Sequence, residues 1–282
     1  MGAGIHDFGP VIDVAIEGGA TAIVYNSDDL RVGHSWRRAD GTGGGFGACC
    51  SLLQEHGPSI AFALGVPFYT YESDNKLYVG YDGAYAPATN YPTSGGGLGQ
   101  TLSFISSPLI AGDPTGWYVV MYEQATNGCL SVQKGSGSGA QKRWDWIGPC
   151  FRVADVPGRP RIVVLDGQPA VLWFESATGF FVARWNGAAW ILIGTGTVPS
   201  GSSVEMVARG SVMYVLTVTP SAASGKLLVE KWDGVSWTVV PGTIESSNST
   251  LTLDAYDIAV YEGNPVVAFI ENGTLKVKRF LP

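Results

Sequence analysis

From Arg161 onward the chain repeats one pattern three times, and a repeated supersecondary unit constrains a fold more tightly than any single motif. Arg161-Ile-Val-Val-Leu-Asp-Gly-Gln-Pro-Ala-Val-Leu-Trp-Phe-Glu175 runs on into Phe181-Val-Ala-Arg-Trp-Asn-Gly-Ala-Ala-Trp190. Leu227-Leu-Val-Glu-Lys-Trp-Asp-Gly-Val-Ser-Trp237 belongs to the second copy. The third is Asp257-Ile-Ala-Val-Tyr-Glu-Gly-Asn-Pro-Val-Val-Ala-Phe-Ile-Glu271 with Leu275-Lys-Val-Lys-Arg-Phe280. Each copy is a set of short apolar strands separated by Gly, Asn, Asp and Pro, the residues that supply turn conformations.

Read backwards, the same second strand is found six times, ending at Tyr25, Tyr71, Tyr122, Phe174, Val218 and Ile270, with spacings of 46, 51, 52, 44 and 52. A first strand precedes each one and a third follows: Leu30–Trp36, Leu77–Tyr81, Leu130–Lys134, Phe181–Trp185, Leu227–Trp232 and Leu275–Phe280. Fourth strands are evident at Trp190–Gly194 and Trp237–Val240, and the sixth copy stops before one. A surplus strand-like piece, residues 4–9, stands at the N-terminus, and its end Phe8-Gly-Pro10 reads like Ile147-Gly-Pro149. The expected fold is therefore all-β: one six-bladed β-propeller of four-stranded antiparallel blades, its ring closed by the N-terminal strand joining the C-terminal blade. The blades are expected at about 11–57, 58–106, 107–159, 160–203, 204–255 and 256–282 plus 1–10, in one domain spanning 1–282. A seventh blade would have to hide in 84–106, where no three-strand pattern exists.

Composition narrows the function. Net charge is −7 with a pI near 4.9, and Lys/Arg adjoin only in the short pairs Arg37-Arg38, Lys142-Arg143 and Lys278-Arg279. Phosphate neutralisation is thus a poor fit, so no nucleic-acid partner is expected. No apolar run approaches the roughly 18 residues of a membrane span. No basic and apolar leader is visible at the N-terminus, and an extracellular or virion-surface location is expected.

In an up-and-down blade, the turns after strands one and three share one face. Here they are short and uniform, as in Gly167-Gln168-Pro169, Gly263-Asn264-Pro265, Asn186-Gly187 and Asp233-Gly234. The opposite face carries long, varied segments such as 38–57 and 84–104, where function is expected, since loops on a rigid scaffold carry most binding sites. Aromatics outside the repeat are the expected ligand platforms: Trp36, Trp117, Trp144, Trp146 and Tyr91. The repeated pairs Trp185/Trp190 and Trp232/Trp237 are instead expected to pack blades together. Glu72, Glu123, Glu175 and Glu271 share one repeat position just after strand two. Their equivalence argues against paired acid–base catalysis, which needs unlike carboxylates, and they are expected to stabilise the turn.

His6, His34 and His56 have no metal-ligand spacing, and no catalytic residue, metal or cofactor is expected. The glycine-rich segments Gly41–Gly47 and Gly95–Gly99 lie in blade connections with no helix following, a poor phosphate cradle. Cys129 begins a third strand and Cys150 ends its antiparallel partner, which sets them side by side, compatible with a disulfide or with two thiols.

The unit Gly-x-Pro, strand, turn, Leu-x-Val-x-(Arg/Lys)-Trp-(Asn/Asp)-Gly-x-x-Trp resembles degenerate repeats of bacterial surface proteins, lectin-like propellers and phage virion propellers. The likeness is clear over Pro160–Phe280 and weaker before it. The sialidase, WD40 and kelch signatures are missing. The resemblance implies a non-catalytic recognition propeller, lectin-like, with glycans as partners. The alternatives are a structural or adaptor part of a phage or virus particle, with other subunits of a larger assembly as partners, and a propeller glycosidase or lyase. An oligomer is left open.

Overall fold

The computed structural model describes residues 12–17, 19–26, 31–38, 40–51, 58–73, 76–81, 91–92, 105–123, 129–136, 143–152, 160–175, 179–196, 202–219, 226–242, 244–245, 256–271 and 274–281. Among them every regular element is a strand, and no helix is long and apolar enough to cross a membrane. The strands form six antiparallel sheets, numbered here in chain order.

Sheet 1 is β1 (Ile12–Glu17), β2 (Ala20–Asn26), β3 (Arg31–Arg37) and β4 (Gly43–Ser51), and sheet 2 is β5 (Ser59–Ala63), β6 (Val66–Ser73), β7 (Lys76–Tyr81) and β8 (Tyr91–Pro92). Sheet 3 holds β9 (Ile105–Asp113), β10 (Gly116–Glu123), β11 (Cys129–Ser136), β12 (Arg143–Trp146) and the short β13 (Phe151–Arg152). Sheet 4 is β14 (Arg161–Leu165), β15 (Gln168–Glu175), β16 (Gly179–Trp185) and β17 (Trp190–Gly196). Sheet 5 is β18 (Ser203–Arg209), β19 (Val212–Thr219), β20 (Lys226–Trp232), β21 (Trp237–Val239) and β22 (Ile244–Glu245). Sheet 6 has three described strands, β23 (Tyr256–Tyr261), β24 (Asn264–Glu271) and β25 (Thr274–Arg279). Two first strands start ahead of the expected boundaries: β9 at Ile105 and β18 at Ser203.

Two expectations for the connections change. The glycine-rich segment after Arg38 is not a loop: Gly43–Ser51 pairs along β3 as a fourth strand. A run of glycines carries no strand signal, yet Gly43 suits the place, because a Cβ there would sit 2.5 Å from the Trp36 carbonyl oxygen. The 84–104 segment likewise contains β8, which pairs with Tyr78 and Val79 of β7.

The chain divides into two compact units, Met1–Val156 and Pro157–Pro282. In the first, β1 packs beside β5 and β5 beside β9; in the second, β14 packs beside β18 and β18 beside β23. Successive sheets thus meet first strand to first strand with faces stacked, the arrangement of propeller blades. Strand alternation makes this possible: in β6, Phe68 faces Ile110, Trp117 and Val119 of sheet 3, while its neighbour Tyr69 packs with Ala22, Val24 and Trp36 of sheet 1. In the second unit, Leu172 and Val182 meet Met206 and Val215 between sheets 4 and 5, and Leu216 and Val229 meet Val267 and Phe269 between sheets 5 and 6.

Hydrogen bonds tie neighbouring sheets together at the strand-one/strand-two turns. The backbone N–H of Leu64 donates to Asp113 O at 3.0 Å, and that of Asp166 to Gly210 O at 3.0 Å. Both donors are left-handed, φ 53° and 50°, as the first residue of two-residue hairpin turns completed by Gly65 and Gly167. Between sheets 5 and 6 the Tyr214 hydroxyl donates to Gly263 O at 2.9 Å.

A candidate recognition surface at the turn ends

The registers expose a regularity at the short-turn end. Arg37 lies opposite Thr21, Lys134 opposite Tyr118, Arg184 opposite Ala170, Lys231 opposite Tyr214 and Arg279 opposite Val266. Each of these strand-two partners stands four residues before its strand's anchor, so one third-strand position is cationic in five sheets. The sixth occupant, Asp82, lies outside the described residues.

Antiparallel pairing brings this cation beside the strand-one/strand-two turn, and in two sheets the turn supplies a carboxylate. Arg184 Nη2 lies 3.4 Å from Asp166 Oδ2 and donates to Leu165 O at 3.5 Å. Arg279 Nη2 lies 2.9 Å from Glu262 Oε2. Asp166 and Glu262 occupy the same left-handed turn position, φ 50° and 49°. In sheet 5 that position is Gly210, and in sheet 3 Pro114. Sheet 3 replaces the ion pair with Lys134, which lies 5.1 Å from the Tyr118 ring and donates to Thr115 Oγ at 3.5 Å.

The strand-three/strand-four turns on the same end are held by one device. Asn186 Oδ1 accepts from the N–H groups of Ala188 and Ala189 at 2.9 and 2.8 Å, and Asp233 Oδ1 from those of Val235 and Ser236 at 2.9 Å each. Asp40 accepts from Thr42 N at 2.8 Å and Thr42 Oγ at 2.6 Å. The Thr42 hydroxyl, then its N–H, holds the Asp40 carboxyl below the usual aspartate range; for Asp233 the Ser236 and Val235 N–H groups do so. The Asp40-Gly41 pair is the local signal that marks the first sheet's turn, matching Asn186-Gly187 and Asp233-Gly234.

The aromatics divide into packers and exposed rings. Trp232 and Trp237 sit with centroids 5.5 Å apart, and Trp237 Nε1 donates to Ile193 O of sheet 4 at 2.7 Å. Gly194 makes room for that indole, since a Cβ would fall 2.7 Å from Nε1. Trp185 and Trp190 make the equivalent edge-on pair, also at 5.5 Å.

Trp117, expected as a platform, is corrected to a core residue. It is wholly buried, stacks on Phe68 at 4.1 Å, and presses so close to Gly135 that no Cβ fits. Its place inside strand two, facing a neighbouring sheet, gives it no surface to offer. Trp36 is buried as well, with the Arg38 guanidinium 5.2 Å from its ring. Trp146 is 44% exposed on the outermost strand of sheet 3. Trp144 pairs with Gly135 and Tyr91 with Val79, but their side chains lie outside the described residues. Of the three whose side chains are described, Trp36 and Trp117 are core and Trp146 alone is exposed.

The glutamates end strand two rather than follow it: Glu123, Glu175 and Glu271 are its last residues, and Glu72 precedes the last. Glu175 is buried and accepts from Trp173 Nε1 at 3.2 Å. That bond ties it to its own strand. The side chains of the other three lie outside the described residues, as do His6 and His56 and the side chain of His34.

Unforeseen from the repeat is the pair Arg161–Glu205, a two-pronged guanidinium–carboxylate contact joining the first strands of sheets 4 and 5. Only tertiary stacking brings together residues so far apart in the chain. Cys129 and Cys150 have Cα atoms 5.7 Å apart with their sulfurs bonded, beside the break between β12 and β13.

No protein-family model matches the chain, and no curated protein matches it. Among solved structures it is similar to the fungal lectin of Aleuria aurantia, described as a six-bladed β-propeller with a novel fucose recognition mode. Identity is 13% over 96% of this chain and 91% of the lectin, with a TM-score of 0.61. The SapL1 lectin, solved with α-methyl fucoside, is similar at 11% identity over 98% of this chain and 97% of that one, TM-score 0.62. A prolyl endopeptidase is similar at 11% identity over 97% of this chain but 50% of its own length, TM-score 0.50. At such identities the likeness is one of fold: an all-β propeller of antiparallel sheets, the style of repeat seen in lectin propellers.

Proposed function

We propose that this chain is a non-catalytic glycan-binding propeller, an extracellular recognition protein working through several similar shallow sites. The observation that carries this reading is the recurrence, in register, of a third-strand cation at the turn end of five sheets, twice paired with a carboxylate. Guanidinium and carboxylate groups beside aromatic rings are donors, acceptors and C–H stacking faces, the three things a sugar ring uses. The fold shared with two lectins agrees with the reading, and Trp146, with Trp144 and Tyr91, stays as a second platform. Weak single sites gain avidity when several are presented together.

In this reading the six sheets are the six blades of one domain spanning 1–282. Residues 4–9 give the last blade the fourth strand that the other five sheets have, which removes an open edge.

The test is binding of the whole chain to a broad glycan array, with and without chelator. Saturable, chelator-insensitive binding to one sugar family is expected. A blank array at high protein concentration would overturn the reading and make another protein the partner.

A further inference from the structure

In sheet 6 the guanidinium–carboxylate pair has a companion that it lacks in sheet 4. Tyr261, the residue before the turn, is 58% exposed, and the Arg279 guanidinium lies 5.2 Å from its ring centroid while also holding Glu262. The same place before the turn is buried Leu165 in sheet 4, Arg209 in sheet 5 and Asp113 in sheet 3. Among the described residues, an exposed aromatic ring and a carboxylate meet on one guanidinium only here.

The arrangement is held before any ligand arrives. Glu262 is fixed in a left-handed conformation by a two-residue turn closed by Gly263, φ 79°, and Asn264 Nδ2 donates to Glu262 O at 3.2 Å across it. Gly263 O is in turn engaged by the Tyr214 hydroxyl. Sites that need no ordering on binding lose less affinity to entropy. Between the stacked sheets 4 and 5 the equivalent Asp166 and Arg184 side chains stay 47% and 26% exposed, whereas Leu165, at the place of Tyr261, is wholly buried.

We propose that Tyr261, Glu262 and Arg279 form one saccharide subsite selective for neutral pyranoses over acidic sugars; this rests on the glycan-binding reading. The Tyr261 ring takes the apolar C–H face, Arg279 donates to one hydroxyl, and Glu262 accepts from the adjacent one. Vicinal hydroxyls fit this pair because each both donates and accepts, so the two can divide the roles. A sugar carboxylate fits poorly, because Glu262 already neutralises Arg279 and would repel a second anion.

The test reads this subsite by itself. Protein labelled with ¹³C at its tyrosine rings gives a Tyr261 signal, assigned by its loss in Tyr261→Phe. It is titrated with the methyl glycosides of glucose, galactose, mannose and fucose, and with glucuronate as the charged control. At least one neutral glycoside is expected to shift that signal saturably, in the roughly millimolar range of a single shallow site, with glucuronate about tenfold weaker or silent.

Tyr261→Phe should keep the affinity for that glycoside within about threefold, read on a neighbouring backbone signal, while Tyr261→Ala and Glu262→Gln each weaken it about tenfold with an unchanged melting temperature. A silent Tyr261 with a positive array would place the sugar elsewhere and overturn this subsite alone. Silence in both would overturn the glycan reading with it. Glucuronate binding as tightly as the neutral sugars would overturn the selectivity.

Discussion

Strands β20 and β25 carry nearly the same text, Leu227-Leu-Val-Glu-Lys-Trp232 and Leu275-Lys-Val-Lys-Arg-Phe280, in the same register on their second strands. Leu227 and Val229 are wholly buried, whereas Leu275 and Val277 are 67% and 65% exposed. The difference lies outside the strands. The face of sheet 5 that bears Leu227 and Val229 is covered by Ile258, Val267 and Phe269 of sheet 6. Within Pro157–Pro282 no further sheet of described residues stacks on the corresponding face of sheet 6. Identical local patterns therefore acquire opposite energetic weight according to the neighbour that stacks on them.

Three tests would sharpen or break that contrast. Leu227→Ala is expected to cost about 2–5 kcal/mol, the range for emptying a buried leucine site, while Leu275→Ala should cost under about 1 kcal/mol. Chemical denaturation of both variants checks this; equal losses would mean that a further surface, such as sheet 1 in the closed ring, covers the sheet 6 face.

Removing residues 1–10 addresses the edge of β25. If residues 4–9 pair there, the shortened chain should lose roughly 2 kcal/mol, read as a fall of about 5 °C in melting temperature, and should associate as its concentration rises. An unchanged melting temperature and a monomeric scattering profile would refute the closure.

The smallest effect concerns Glu230, which occupies the place that Lys278 fills in β25. Burial raises the Glu230 carboxyl above the usual glutamate range. Lys278 is half-buried and donates to Gly242 O at 2.5 Å. A raised carboxyl pKa means that the folded state holds the proton more tightly than the unfolded state. Stability is then greatest below the unfolded value and declines as pH climbs through the folded one. Glu230→Gln should consequently raise the melting temperature slightly at neutral pH and leave it unchanged below about pH 4. A variant less stable at pH 7 would show that the carboxylate has a stabilising partner.

The repeat made the strands legible because alternation and turn chemistry are local. All six second strands fall where the pattern puts them, and Gly167, Gly187, Gly234 and Gly263 take the positive φ that their turns require. Where the repeat signal was diluted by glycine, β4 was hidden, although Asp40-Gly41 announced its turn. The candidate site was legible only in pieces. Arg184 and Lys231 stand beside tryptophans in the repeat, but Trp185 pairs with Trp190 in its own sheet, Trp232 packs against sheet 4, and the useful aromatic, Tyr261, lies in a first strand. Pairing a third-strand cation with a strand-one turn needs the register across strand two.

Residue order alone determined that this chain makes short antiparallel strands, which of their faces are apolar, and where two-residue turns reverse them, because each is settled within a few neighbouring residues. Only the tertiary structure decided that Trp117 is core, that Trp237 lodges over Gly194, that Arg161 meets Glu205 and that Tyr261 joins Glu262 and Arg279. Those meetings depend on how twisted sheets stack and which side chains the twist brings together. Residues far apart in sequence, or on different strands, carry no local trace of it.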